Sequence, residues 1–347
     1  MVDVLSTSLN YKSSLNIDRI KHFTHPSHAN SMHFITAAYH LNPQTQTKTG
    51  ALTPYNITAS TITPLSSLEF NVDYGILDIK RNSSNELIYS SNSNNTYSIF
   101  DFETHSVSNI KLPCKDSNDA VTCNTIELCP STAKVFLTSN NGYHHIYDMN
   151  TNEHITSIKS HEYGIWSLFV FDTNVYVTGS EDNCIKVWDL RVDSSNAKCV
   201  GVNNKSFNSS VNVINRLNAL HNDNVLFIGS YDEKVVFVDA RCISDDIKQI
   251  RTGHSLWDYR EVSNPNNVNE NLIFMACIYE GINVYSIDKV KGELDLKHEV
   301  SLPLNGNYHN SIVYGIDTLS STNNNDKSIN VLSCSFYDNT ILNWNYV

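Results

Sequence analysis

From residue 74 to its end, this chain alternates apolar and polar positions over short runs, each interrupted by Asn, Asp, Ser or Gly. Successive side chains of a strand point to opposite faces, so runs of this length and period predict β-strands joined by turns. The runs fall into sets of three: 75–80, 87–91 and 96–102; 121–129, 134–139 and 143–149; 165–171, 175–180 and 184–190. The remaining sets are 211–220, 225–230 and 234–240; 256–262, 272–277 and 281–287; 312–319, 330–335 and 340–346. Residues 153–159 and 294–302 read as outer strands of the second and fifth sets. Many strand positions are apolar on both faces, as a sheet packed between two neighbours requires. Ahead of these sets the pattern weakens. There, 32–40 (MHFITAAYH) reads as a strand, 2–11 as an extended segment and 45–49 as a polar loop. Residues 203–210 and 323–328 are polar insertions that predict surface loops.

The clearest hairpin is 175–191, VYVTGSEDNCIKVWDLR. A β-branched run meets the turn Glu181-Asp182-Asn183, and a second strand closes on Trp188-Asp189. Its Gly179-Ser180 through Asp189-Leu190-Arg191 recurs as Gly229-Ser230 through Asp239-Ala240-Arg241, a constant offset of 50 residues. A hairpin ending in Trp-Asp resembles a blade of the WD-repeat propellers. Six sets in phase, with a divergent first blade at 1–57, predict an all-β fold: one seven-bladed WD-repeat β-propeller domain over 1–347. Residues 2–9 are expected to complete the last blade and so seal the ring of sheets.

Charge and cysteines narrow the partners. Lys+Arg total 24 against 36 Asp+Glu, a net charge of −12, which disfavours direct nucleic-acid binding and suits a basic or cationic partner. The eight cysteines form no C-x-x-C pair and no secretory signal opens the chain, so free thiols and a cytoplasmic location are expected. No run approaches the ~18 apolar residues of a membrane span, and a monomer is the expectation.

Within a blade, polar residues have structural work to do. His161, Ser180, Asp182 and Trp188 match the positions at which WD-repeat blades place a hydrogen-bonded tetrad. In the last set Trp344 and Asp338 align with this pattern, and His309 precedes Tyr314 as His161 precedes Trp166. Ser335 falls one residue early and Phe336 takes the hydroxyl slot, so either the strand bulges or the turn is built differently. Trp166, Trp257 and Tyr314 occupy equivalent starts of inner strands, which in propellers line the channel mouth. Large rings on an acidic surface suit a quaternary ammonium group. The chain has no G-x-S-x-G, Walker, G-x-G-x-x-G or H-E-x-x-H motif. His144 and His145 adjoin on a strand, point to opposite faces and cannot share a metal. Cys277 and Cys334 end middle strands with no base beside them, which favours buried thiols. The residues alone describe a binding platform with no metal or cofactor site.

Four stretches are more specific: residues 229–241 (GSYDEKVVFVDAR), 272–287 (LIFMACIYEGINVYSI), 309–317 (HNSIVYGID) and 331–344 (VLSCSFYDNTILNW). Together they resemble the diphthine methyl ester hydrolase family, the WD-repeat family of diphthamide biosynthesis, over residues 160–347. The resemblance implies hydrolysis of the methyl ester of methylated diphthine on translation elongation factor 2, the protein substrate, before amidation and without a cofactor. In that reading His309 is the base, Ser335 or Cys334 the nucleophile, Tyr337 the oxyanion donor and Asp338 the group orienting His309. Trp166, Trp257 and Tyr314 would hold the trimethylammonium group, with His254 nearby. His254 itself lies in TGHSLW, where the family has a glycine-rich turn, so it is not carried over from the family. Two competing readings stand beside this one. His309 and Asp338 would form a plain structural tetrad, or the whole chain would be a non-catalytic scaffold, for example in trafficking.

Overall fold

The computed structural model describes residues 5–28, 32–58, 60–84, 86–113, 121–192, 197–220, 222–290, 296–302, 309–319 and 327–347, with backbone alone at 5–8. Residues 2–4 of the expected closing strand and 323–326 of the expected loop lie outside them.

Among the described residues there are seven antiparallel sheets, six of four strands and one of five. The protein is a seven-bladed all-β propeller. Blade 1 spans 16–72, blade 2 76–111, blade 3 123–159, blade 4 165–203, blade 5 211–251, blade 6 256–302 and blade 7 313–346. Blade 7 takes its fourth strand from Leu5–Lys12, which pairs antiparallel with Thr340–Tyr346. Blade 1 runs beyond residue 57. Its long strand Lys48–Ile57 pairs with two short ones, Ile62–Pro64 and Phe70–Val72, in place of one outer strand.

The turns between the second and third strands need one residue with left-handed backbone. Asn95, Gly142, Asn183, Gly281 and Asn339 supply it in blades 2, 3, 4, 6 and 7. These residue types tolerate positive φ at low cost. At Gly142 the requirement is absolute, since a Cβ there would lie 2.2 Å from the His161 carbonyl oxygen.

Two compact units divide the blades: 6, 7 and 1 in one, and 2 to 5 in the other. Inside the first, Phe274 and Val284 of blade 6 pack with Val313, Val331 and Trp344 of blade 7. Leu332, Cys334 and Ile341 of blade 7 pack with Ile17, Ile20 and Phe34 of blade 1. Charged residues of the inner strands tie these three blades together. Lys21 meets Asp258 at 3.0 Å, Arg260 meets Asp317 at 3.0 Å, and the His22 N–H donates to Asp317 at 2.8 Å. In the second unit Thr125 donates to Asp78 at 2.7 Å and Ser167 to the Val211 carbonyl at 2.9 Å.

Each inner strand slips register near its start: between Ile17 and Arg19, Ile76 and Asp78, Cys123 and Thr125, and Ile165 and Ser167. The same slip falls between Val211 and Val213, Leu256 and Asp258, and Val313 and Gly315. A bulge leaves one residue unpaired and re-aims its side chain. Trp166, Trp257 and Tyr314 are such residues, and so is Asp18 of blade 1.

Candidate functional site

Blade 4 provides the reference for blade 7. Asp182 lies 2.9 Å from His161 Nδ1, His161 Nε2 lies 2.8 Å from Thr178 Oγ1, and Trp188 Nε1 donates to the same hydroxyl at 3.0 Å. The relay therefore runs through Thr178 and not through Ser180. The two share one face of the strand, so alternation does not separate them. Register does, because Trp188 stands opposite Tyr176 and its indole reaches the diagonal neighbour. Ser180 instead bonds the Tyr163 carbonyl at 3.3 Å and the Asp182 N–H at 3.2 Å. Burial opposes ionisation of Asp182, but bonds from His161 and from main-chain N–H groups hold its carboxyl at about 2. Thr178→Val, which strips a shared partner from two buried groups, is expected to cost about 1–3 kcal/mol in urea unfolding, and Ser180→Ala less than about 1 kcal/mol. Equal costs would return the relay to Ser180.

In blade 7 the hydroxyl is Ser333: His309 Nε2 lies 2.8 Å from its Oγ, and Trp344 Nε1 donates to it at 3.2 Å. The strand is not bulged, since Ile329–Ser335 pairs with Thr340–Tyr346 without a slip. The turn is longer. Residues 335–340 separate the paired Cys334 and Ile341, against 180–184 between the paired Gly179 and Ile185. The extra residue moves the carboxylate off the imidazole. Asp338 accepts from the Ser335 hydroxyl and from the Asn310 N–H at 2.8 Å, and His309 Nδ1 has no hydrogen-bond partner among the described residues. Burial drives the His309 imidazole down to about 4, with the Asp338 charge opposing.

This arrangement redistributes the expected catalytic roles. Cys334 lies on the opposite face from Ser333 and Ser335, fully buried, with its Sγ 2.8 Å from where a Gly315 Cβ would stand. Burial pushes its thiol up, as for a cysteine packed in a core. Ser335 is fully buried and bonded to Asp338, and His309 is 1% exposed and bonded to Ser333. Asp338 does not orient His309 through a hydrogen bond. Tyr337, by contrast, stands 67% exposed at the tip of the turn.

The same longer turn turns Phe336 inward, where it joins a row of rings within the unit of blades 6, 7 and 1. Trp257 stacks on Tyr314 with centroids 4.9 Å apart, Tyr314 lies 5.2 Å from Phe336, and Phe336 lies 5.2 Å from Tyr39 and 4.9 Å from Tyr337. Burial first, and then the charge of Asp18, raises the Tyr314 phenol to about 12. Asp18 is 6% exposed, and the guanidinium of Arg19 lies 6.0 Å from the Trp257 ring centre. Arg19 Nη1 donates to the carbonyls of Asp18 at 3.1 Å and Tyr314 at 3.4 Å.

Two of the four expected binding residues, Trp257 and Tyr314, are thus in contact. Trp166 belongs to the unit of blades 2 to 5, where its Nε1 donates to Glu181. The His254 ring lies 6.4 Å from His298 on an outer strand. Asp18, Arg19, Tyr39 and the inward Phe336 are additions to the sequence reading. No group of three or more His, Cys, Asp or Glu side chains among the described residues is arranged to hold a metal. No helix of the described residues is long and apolar enough to cross a membrane.

The seven sheets define the class of fold, a seven-bladed β-propeller. Residues 152–189 match the family described as "WD domain, G-beta repeat", a stretch that joins the outer strand of blade 3 to the inner three of blade 4. The mouse (Mus musculus) protein named diphthine methyltransferase is 26% identical over 97 residues, which are 28% of this chain and 19% of that protein. A chain of the crystal structure of the mitotic checkpoint complex superposes with a TM-score of 0.65 at 14% identity, over 97% of this chain and 94% of its own length. The WD40 β-propeller domain of Doa1 gives 0.65 at 14% identity, over 98% and 95%. At that identity the solved structures speak for the fold alone.

Proposed function

We propose that the chain hydrolyses the methyl ester of methylated diphthine on translation elongation factor 2, in the cytoplasm, with blade 7 as the working face. The observation that carries the reading is the longer turn at 335–340, which places Phe336 against Tyr314 and Tyr39 and leaves Tyr337 at the surface. The partial likeness to a mouse protein named for diphthine supports the substrate. A trimethylammonium group has no N–H to donate, so rings and a nearby carboxylate are the chemistry that holds it.

In the reaction, water adds to the ester carbonyl carbon, the carbon–methoxy bond breaks, and methanol departs with a proton while the carboxylate stays. Asp338, held by Ser335 and half-buried beside the exposed Tyr337, takes the role of base, and the Tyr337 phenol donates to the developing oxyanion. His309, Ser333 and Trp344 serve as the frame of the turn.

Purified chain mixed with elongation factor 2 carrying the methylated intermediate is expected to release methanol. Tyr337→Phe should slow turnover by about a hundredfold. An unchanged rate in that variant removes Tyr337 from the chemistry. No methanol from the parent chain overturns the reading and leaves a propeller whose last-blade polar groups only hold a turn, the expectation for a scaffold.

A further inference from the structure

We infer that a cavity at the split outer edge of blade 1 takes the guanidinium of an arginine on a partner protein. The inference goes beyond the proposed reaction and stands without it. Its origin is the feature that sets blade 1 apart, two short outer strands in place of one. Lys48–Ile57 pairs with Phe70–Val72 as far as Leu52 and with Ile62–Pro64 from Tyr55 onward, so Thr53 and Pro54 face no strand on that side. The Pro54 carbonyl accepts there from the Leu65 N–H at 2.8 Å, but a proline has no N–H to return. The ladder breaks, and a single helical turn at Ser66–Leu68 carries the chain across the gap.

A cavity of about 320 Å³ opens at this break, lined also by Tyr11 and the residues that follow the closing strand of blade 7. Ala38 and Ala51 stand opposite each other on neighbouring strands of its wall, and two methyl groups there leave room that larger side chains would fill. Tyr11 and Tyr55 line it with their rings edge to face, centroids 5.5 Å apart. Glu69 is the one charged side chain among the described residues that line it. Its carboxylate is fixed, because Thr53 donates to one oxygen at 2.9 Å and Asn71 to the other at 3.0 Å. Among the described residues no Lys, Arg or His pairs with it.

Each carboxylate oxygen keeps a second lone pair to offer. Two steadied oxygens in one plane are what a guanidinium meets with parallel N–H bonds, and the tyrosine rings suit its flat face. An ammonium is a compact point charge that matches neither the pair of oxygens nor the rings as well. Ser14, Ser66 and Asn71 of the lining are exposed, so the cavity opens to solvent and a side chain can enter from outside. The net charge of −12 favours the approach of a cationic partner.

The test titrates the full chain, followed by NMR, with the Nα-acetyl amides of arginine, lysine and citrulline and with free L-arginine. The arginine amide should bind about tenfold more tightly than the citrulline amide, its neutral counterpart, and about threefold more tightly than the lysine amide. Glu69→Gln should bring the arginine-to-citrulline ratio to about one. Glu86→Gln, the same loss of charge on an exposed turn of blade 2, should leave that ratio unmoved. Ala51→Leu, which fills the cavity, should weaken all the amides together. No preference for the arginine amide in the parent chain, or a ratio that Glu69→Gln leaves unmoved or Glu86→Gln lowers equally, overturns the inference. Should Glu69→Gln fail to fold, undiminished binding in folded Ala51→Leu overturns it as well. Free L-arginine binding more tightly than its amide would overturn the assignment to a partner protein, since the site would then be reading the groups that a peptide chain lacks.

Discussion

Trp344→Ala is expected to cost about 3–5 kcal/mol in equilibrium urea unfolding, among the largest effects of any single truncation in the unit of blades 6, 7 and 1. Trp344 is 1% exposed and fills the space between blades 6 and 7, where it meets Phe274 edge-on at 5.9 Å. Its indole N–H also donates to Ser333, which holds His309 in turn. Alanine therefore removes apolar contacts, opens a cavity in a close-packed core and takes one partner from a buried hydroxyl. Trp344→Phe separates these contributions: it keeps most of the ring and loses the donor, so it should cost about 1–2 kcal/mol. A loss below about 1 kcal/mol for Trp344→Ala would mean that blades 6 and 7 do not depend on this residue for their packing.

Much of the fold can be read in the chain because a propeller repeats one hairpin, and repetition makes a weak signal cumulative. The offset between Gly179 and Gly229 is visible without any structure. The inner-strand aromatics Trp166, Trp257 and Tyr314 are indeed equivalent, and the structure gives the reason: each is the unpaired residue of the same bulge. Asp18 occupies that bulge in blade 1 but is hidden in sequence, because its strand Asn16–His22 reads NIDRIKH and looks like a loop. Those charges bond other blades, as Lys21 of blade 1 does with Asp258 of blade 6, and period-2 patterning does not register such a use. The tetrad hydroxyl is missed for another reason. Thr178 and Ser180 share a face, and only the diagonal reach of Trp188 across the hairpin selects between them.

The candidate site was legible as an irregularity and not as a set of roles. Sequence spacing flags 334–338 as the place where the template breaks, but a strand bulge and a longer turn have the same length. They differ in what they do to side chains. A bulge would have shifted Ser333 and Cys334 between faces. The longer turn leaves both in register and acts on Asp338, Phe336 and Tyr337 alone. One added residue thus frees a carboxylate from its histidine, buries one ring and exposes another.

Stability should fall steeply as the solution is acidified from pH 6.5 toward pH 4, and the cause is buried histidine. Burial lowers the imidazole of His144 to about 3, and those of His145 and His309 to about 4, from the ordinary value of 6.5. Above pH 6.5 folded and unfolded chains both carry these rings neutral, and nothing is lost. Between pH 6.5 and about 4 the unfolded chain binds protons that the folded chain refuses, so unfolding becomes progressively more favourable. One pKa unit is worth about 1.4 kcal/mol, so His309 alone accounts for roughly 3 kcal/mol across that window. The Asp182 carboxyl, held at about 2, begins to lose its contribution only below the ordinary carboxylate range, after the histidines have acted. Urea midpoints measured from about pH 8 downward should therefore hold level and then drop below pH 6.5, and His309→Gln should flatten part of the drop. Level midpoints down to pH 5 would contradict the burial of neutral imidazoles. The same titration bears on the chemistry. His309 stays mostly neutral in the folded chain down to about pH 5, so over that range any acid limb of methanol release that tracks the folded fraction reports unfolding. A limb seen while the chain stays fully folded would belong to a different group than His309.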